Sequence, residues 1–411
     1  MPFPAGLRAL NHRDFRLFWT GQLVSLIGTW MQSVGQSWLV LELTNSPFKL
    51  GLIGTLQFGP MLLFSFPAGA IADRLPKRRL ILATQTALML QAFLLAGLSW
   101  TGHVQYWHVA VLASLYGLAN TFDMPTRQSF IVEMVGKDDL MNAIALNSAV
   151  FNGARVVGPA VAGMLVARYG VPVAFLLNGA SFLAVLCALL AMHAEGLPHV
   201  RPRASMVQEI ATGIRYALQT PSVSLILSLL LAVSLFLINH SVLIPLLARD
   251  VLHEGAQGFG WLMAALGMGA LAGALGLALL GGGRPRLAVL VAAAIFLGMA
   301  MLSLAVVHRF WVATPLLILA GFSQIVFMAS CNTILQVTVP DTLRGRIMSL
   351  YAFVFAGVTP FGSFFVGSIA EVFGVPVAFA AGGGLGLLCV LGLTWRWTRG
   401  RSWRHLMVDW P

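Results

Sequence analysis

The sequence predicts an all-α membrane protein: twelve transmembrane helices in two pseudo-symmetric six-helix halves. Three observations carry that prediction. First, 58% of the 411 residues are hydrophobic and only 9% are charged, against about 25% charged in a soluble domain. Second, apolar stretches of about 20 residues or more recur along the whole chain, each enough to cross a hydrocarbon core of about 30 Å. Third, the hexapeptide GVPVAF occurs at 170–175 and again at 374–379, an offset of 204 residues. The same offset carries Gly51, Gly54, Gly69 and Gly163 onto Gly255, Gly258, Gly273 and Gly367. Helical periodicity and 42 glycines favour a bundle over a barrel, whose shorter strands would alternate in polarity.

In order, the spans fall at 15–42, 48–71, 80–101, 106–126, 140–167, 171–193, 221–249, 256–280, 285–307, 310–333, 346–371 and 375–397. Residues 1–193 form the first half and 221–411 the second. The polar stretch 194–220 between them opens as a Pro-containing linker and from Ser205 reads as an amphipathic helix lying on the membrane face. The first residues, MPFPAGLRALNHRDFR, form a short basic lead-in with no cleavable signal pattern.

The charges give the orientation. Of the 25 Lys and Arg residues, only Lys49, Arg168, Arg249 and Arg309 fall on the side opposite the 69–80 loop, and Arg155 falls inside a span. By the positive-inside rule, both termini and that loop are cytoplasmic, in the inner membrane of a prokaryote. The net charge of +11 then faces anionic lipid and calls for no nucleic acid. The three cysteines lie in apolar runs, so neither a disulfide framework nor a metal site is expected.

The loop GAIADRLPKRRL at 69–80 packs Asp73, Arg74, Lys77, Arg78 and Arg79 between two spans. With the twelve spans and the six-plus-six repeat, its pattern G-x-x-x-D-R-x-x-K-R resembles the major facilitator superfamily over nearly the whole chain. NHRDFRLFW near the N-terminus, DMPTRQSF at 123–130, NGARVVGPAVAG at 152–163, LIPLLARDVL at 243–252 and VPDTLRGRIMSLY at 339–351 resemble the branch of enterobactin exporters and multidrug:proton antiporters. The resemblance implies the major-facilitator fold and export of a small molecule by alternating access, without a cofactor.

It also implies roles. The loop's acid, Asp73, would sit against the cytoplasmic start of span eleven near Arg346, where free N–H groups and the helix dipole favour a carboxylate. Arg74 and Arg78 would partner Asp123. With Gly69 and Lys77, these residues form a gating motif; the plain alternative is a solvated loop that sets topology. Pro76 stands where the family has glycine, and Leu277, at Asp73 plus 204, leaves the second half without the acid. NGARVVGPAVAG resembles the superfamily's antiporter motif. In it Gly153, Gly158, Ala162 and Gly163 permit close helix approach, and Pro159 removes a backbone hydrogen bond.

Polar residues inside spans are costly and point to function. Gln22, Ser25, Thr29, Gln32 and Gln36 recur every three or four residues in span one, a stripe expected to line a central cavity rather than only to bond neighbouring helices. Tyr116 and Asn120 with Asp123, Asn152 and Arg155, Asn239, Gln324 and Tyr351 extend that cavity. Arg155 has two open roles, holding an anionic or catecholate-like group or pairing with an acid. Asp123, Glu42 and His240 are the candidates for proton coupling, His240 because imidazole titrates near neutral pH. A cavity of amides and aromatic rings suits a large amphipathic ligand.

No P-loop and no His/Cys metal spacing occurs, so an enzyme is not expected. The reading is a monomeric secondary exporter of drug- or siderophore-like molecules, coupled to protons. A proton-coupled uptake symporter of the same fold and a non-transporting membrane sensor are the alternatives.

Overall fold

A computed structural model of the chain describes residues 4–196, 206–280 and 286–399. After a 3-10 turn at Ala5–Asn11, those residues are almost wholly α-helical. Ten segments are long and apolar enough to cross a membrane. The other two expected spans are α1 (Arg13–Thr44) and α4 (Tyr106–Val135), of 32 and 30 residues, which carry the polar stripes.

Three spans differ from expectation. The fourth does not stop at 126. Pro125 lies inside α4, which runs on to Val135, so Arg127 stands on a helix and not in a loop. The seventh is broken: α8 (Pro221–Phe236) and α9 (His240–Leu246) flank a kink where the Ile238 amide reaches back five residues to Val233. The eleventh begins early, at Asp341, and is broken between α13 (Asp341–Gly357) and α14 (Thr359–Phe373). Pro360 in the first turn of α14 has no N–H to continue the ladder.

The chain divides into two compact units. One holds Met1–Asn45, Leu56–Arg201 and Glu254–Ala264; the other holds Ser46–Thr55, Pro202–His253 and Ala265–Pro411. In the first, α1 packs on α4, α5 and α6 (Pro172–Ala191), and α3 (Lys77–Trp100) packs on α4 and α6. In the second, α8 packs on α12 (Phe310–Thr338), α13, α14 and α15 (Val375–Thr398), and α11 (Leu287–Leu304) packs on α12 and α15. The two patterns match helix for helix. Both GVPVAF copies form the same corner. Gly170 and Gly374 end α5 and α14 at φ of 81° and 88°, and Pro172 and Pro376 then open the next helix. Glycine ends helices in this region of φ without strain, and proline suits the first turn.

The close contacts correct the register of the repeat. A Cβ at Gly117 would collide with the Gln57 carbonyl, and one at Gly321 with the Leu266 carbonyl. A Cβ at Gly163 would lie 2.9 Å from Gly260 Cα, and one at Gly367 2.9 Å from Gly51 Cα. The glycines of α4/α12 and α5/α14 keep the offset of 204. Their partners in α2 (Pro47–Arg74) and α10 (Ala256–Leu280) are 209 apart. Gly51 therefore matches Gly260 rather than Gly255. Asp73 matches Gly282, outside the described residues, rather than Leu277; neither is an acid.

Candidate functional site

The most polar buried cluster is in the first unit, where α1, α3 and α4 meet. Asp123 on α4 is 1% exposed. Its Oδ1 accepts hydrogen bonds from Thr84 Oγ1 at 2.7 Å and Gln85 Nε2 at 2.9 Å. Its Oδ2 is paired with Arg127, one helical turn on, and Arg127 also donates to Gln22 Oε1 on α1. The carboxylate is thus partnered by Arg127, Thr84 and Gln85 rather than by Arg74 or Arg78. Beside it, Gln22 Nε2 and Gln85 Oε1 are buried with no hydrogen-bond partner. An ion pair held in an apolar bundle is tolerable because it is neutral as a unit. Removing either charge leaves the other stranded.

The span-one stripe is spent mostly on neighbouring helices. Gln32 donates to Gln91 of α3 at 2.9 Å and accepts from Asn178 of α6 at 2.6 Å. Gln36 donates to Gln57 of α2 at 2.8 Å. Thr29 bonds back to the Ser25 carbonyl at 3.0 Å, and Ser25 is buried. The bonding role of Gln32 and Gln36 is on view; of the stripe, only Gln22 joins the Asp123 cluster.

Arg155 on α5 is 8% exposed, with its guanidinium 5.8 Å from the Trp30 ring centroid. Phe151 meets the same indole edge-on at 5.9 Å. Asn152 Nδ2 bonds the Ser148 carbonyl at 2.9 Å, while its Oδ1 is buried and without a partner. The proline at 159 cannot donate to the carbonyl of Arg155, four residues back. In the surrounding motif, Gly158 lies against Trp30 Cβ and the Ile27 carbonyl, and Gly163 lies against Gly260. Gly153 is a correction: nothing lies within 4 Å of a Cβ built there, so it serves no close approach.

In the loop motif, Lys77 opens α3, is 3% exposed and pairs with Glu133 near the end of α4. Lys77 is thus a buried partner, not a loop cation. Arg78 donates to the carbonyls of Leu189 at 2.6 Å and Leu190 at 3.0 Å, satisfying free acceptors at the end of α6. The Lys77 and Arg78 amides are taken by the carbonyls of Gly196 and Glu195. Arg74 is exposed at the end of α2. Gly69 has no neighbour within 4 Å of a built Cβ. The side chain of Asp73 lies outside the described residues. Arg346 sits in the second turn of α13, under Gly213 of α7 (Met206–Gln219).

In the second unit, His240 Nε2 donates to Gln324 Oε1 at 3.1 Å, joining α9 to α12. Asn239 Nδ2 bonds the Leu235 carbonyl at 2.8 Å and lies against Gly362. Tyr351 donates to the Met328 carbonyl at 3.3 Å. Tyr116 and Asn120 share one turn of α4 through a 3.1 Å bond from Asn120 to the Tyr116 carbonyl. Glu42 is exposed near the end of α1 and hydrogen-bonds with the Trp38 side chain.

Sequence reasoning missed Arg127, Thr84 and Gln85. The Asp123–Arg127 spacing of four was the available signal, since residues four apart share a helix face; ending span four at 126 hid it.

The transmembrane secretion effector family matches residues 5–402. The staphyloferrin A transporter of Staphylococcus aureus is 25% identical over 91% of this chain and 94% of its own. The multidrug efflux pump Tap of Mycolicibacterium fortuitum is 28% identical over 86% and 88%. The enterobactin exporter EntS of Escherichia coli is 26% identical over 92% and 90%. Among solved structures, a peptide-transporter (POT) family member in complex with 5-aminolevulinic acid aligns with a TM-score of 0.76 at 10% identity, covering 95% and 97%. An inward-facing bacterial homologue of the lysosomal transporter Spinster aligns at 0.71 with 13% identity, covering 93% and 94%. The structural likenesses give the fold; the match over nearly the full length gives the family. The chain belongs to the transmembrane secretion effector family of the major facilitator superfamily, and is a multi-pass membrane transporter rather than an enzyme.

Proposed function

We propose that the protein exports amphipathic small molecules, drug- or siderophore-like, across the cytoplasmic membrane of a bacterium in exchange for protons. It works as a monomer with both termini cytoplasmic. The halves 1–193 and 221–411 alternate access to a shared path, joined by the 194–220 linker, with the Asp73 loop as a gating element. The whole-length likeness to the staphyloferrin A transporter, the Tap multidrug efflux pump and the enterobactin exporter supports the substrate class.

The observation that carries proton coupling is the pair formed by buried Asp123 and partly exposed Arg127, with the leftover donor and acceptor beside it, Gln22 Nε2 and Gln85 Oε1. A proton on Asp123 neutralises the carboxylate and strands the Arg127 cation, so protonation and rearrangement of α4 against α1 are one event. Of the three acid–base candidates, Asp123 is the buried carboxylate; Glu42 is exposed, and His240 is engaged with Gln324. Arg155, Trp30 and the free Oδ1 of Asn152 form the polar and aromatic corner suited to an acidic or catecholate group.

The test is transport in vesicles with a panel of dyes, macrolides and siderophores at two pH gradients. Asp123→Asn is expected to abolish accumulation driven by a pH gradient while leaving concentration-driven counterflow. Gradient-driven transport at the parent rate would remove Asp123 from the coupling mechanism.

A further inference from the structure

Glu371 is in the last turn of α14 (Thr359–Phe373), the wrong end of its own helix for an acid. A helix C-terminus carries partial negative charge and disfavours a carboxylate. The compensation comes from another helix. Glu371 Oε2 accepts a hydrogen bond from Ser46 Oγ at 2.7 Å and another from the Phe48 amide at 3.0 Å. Ser46 is the residue before α2, and its Oγ also accepts from the Lys49 amide at 3.2 Å. Pro47, the first residue of α2, has no N–H to satisfy. The opening donors of α2 are therefore divided between Ser46 and a carboxylate 325 positions away.

Below this cap runs a continuous seam within the second unit. Phe48 meets Phe364 edge-on at 5.6 Å. Gly51 lies against Gly367 and the Ser363 carbonyl, and Gly54 against the Ser363 side chain. Thr55 Oγ1 donates to the Pro360 carbonyl at 2.9 Å. Glycines facing each other make a seam with little side-chain interlock, so its two polar ends bear on whether it stays shut. The corresponding seam of the first unit, Gly163 against Gly260, has no such cap: Ala167 stands at the place of Glu371.

We propose that Glu371 is the latch of this seam, a positioning residue that holds α2 shut against α14 at the end opposite the 69–80 loop. Its release opens the path on that side. The proposal rests on the transport reading above for its role in the cycle, but the latch is testable without transport.

The test places Thr55→Cys, at the deep end of the seam, in a background with Cys187, Cys331 and Cys389 replaced by serine. Alkylation by a membrane-impermeant maleimide is timed in intact cells and in inverted vesicles. Glu371→Ala is expected to raise the rate in intact cells about fivefold. Ser46→Ala is expected to raise it less, and the double variant no more than Glu371→Ala alone. Glu371→Gln, which keeps an oxygen acceptor and the side-chain shape, gives an intermediate rate and serves if the alanine variant fails to reach the membrane. An increase confined to inverted vesicles would overturn the orientation and leave the latch standing. Parent-like labelling of Glu371→Ala and Glu371→Gln in both preparations, at parent protein levels, would overturn the latch.

Discussion

The two units repeat one packing scheme around very different interiors. Among the described residues, every buried Lys, Arg and Asp side chain lies in the first: Lys77, Asp123 and Arg155. The buried polar groups of the second include one imidazole, His240, with Asn239, Gln324 and a few serines. Packing symmetry therefore does not require chemical symmetry. Glycines that let backbones touch recur in both units because geometry demands them. Among the described residues, buried Lys, Arg and Asp side chains occur in only one, and a buried charge is expensive and is kept where it has a task. On the proposed reading, the proton chemistry belongs to the first unit.

Five substitutions break or sharpen that contrast. The largest effect is expected from Asp123→Ala, which strands Arg127. It should cost about 3–5 kcal/mol, read as a large loss of thermal stability in detergent together with loss of transport. The next pair tests the symmetric part. Gly117→Ala and Gly321→Ala should each destabilise by about 1–3 kcal/mol, and by similar amounts, since each Cβ meets a backbone carbonyl. A large inequality would mean that the units do not share the α2/α4-type contact. Third, Gln324→Ala removes the acceptor of His240 and should cost only about 1 kcal/mol, with pH-driven transport retained. Loss of pH dependence there would place ion chemistry in the second unit and end the contrast. Smallest, Gly153→Ala should stay within about 0.5 kcal/mol of the parent in the same melting assay, although its motif suggested tight packing.

Much of the fold was legible because membrane spans announce themselves by length and apolarity, and because an identical hexapeptide marks the repeat. What was hidden has particular causes. Span four was ended at 126, but α4 carries Pro125 inside it and runs on to Val135, packed on α1 and α3, so Arg127 was misplaced. The kink at 237–239 carries no proline or glycine, so no residue type signals it. The five-residue difference in register cannot be read from glycines that are common throughout the chain; it emerged only from which carbonyl each glycine touches. The stripe of Gln22 to Gln36 was read as the lining of a cavity, but its glutamines bond to residues of four helices, α2, α3, α4 and α6, and sequence spacing does not say which.

One helix joins several of these observations. α2 is a continuous rod of 28 residues, about 42 Å at 1.5 Å per residue. Its first turns, through Thr55, belong to one unit and the rest, from Leu56, to the other. Pro60 lies inside it, and the carbonyl four residues before a proline receives no ladder bond; that carbonyl is Leu56. Pro67 frees the Leu63 carbonyl in the same way, so the ladder of α2 is interrupted twice between its first turns and the charged loop. On the proposed reading, those two gaps in the ladder are the places where the Glu371 end of α2 could shift without carrying the charged loop at its far end.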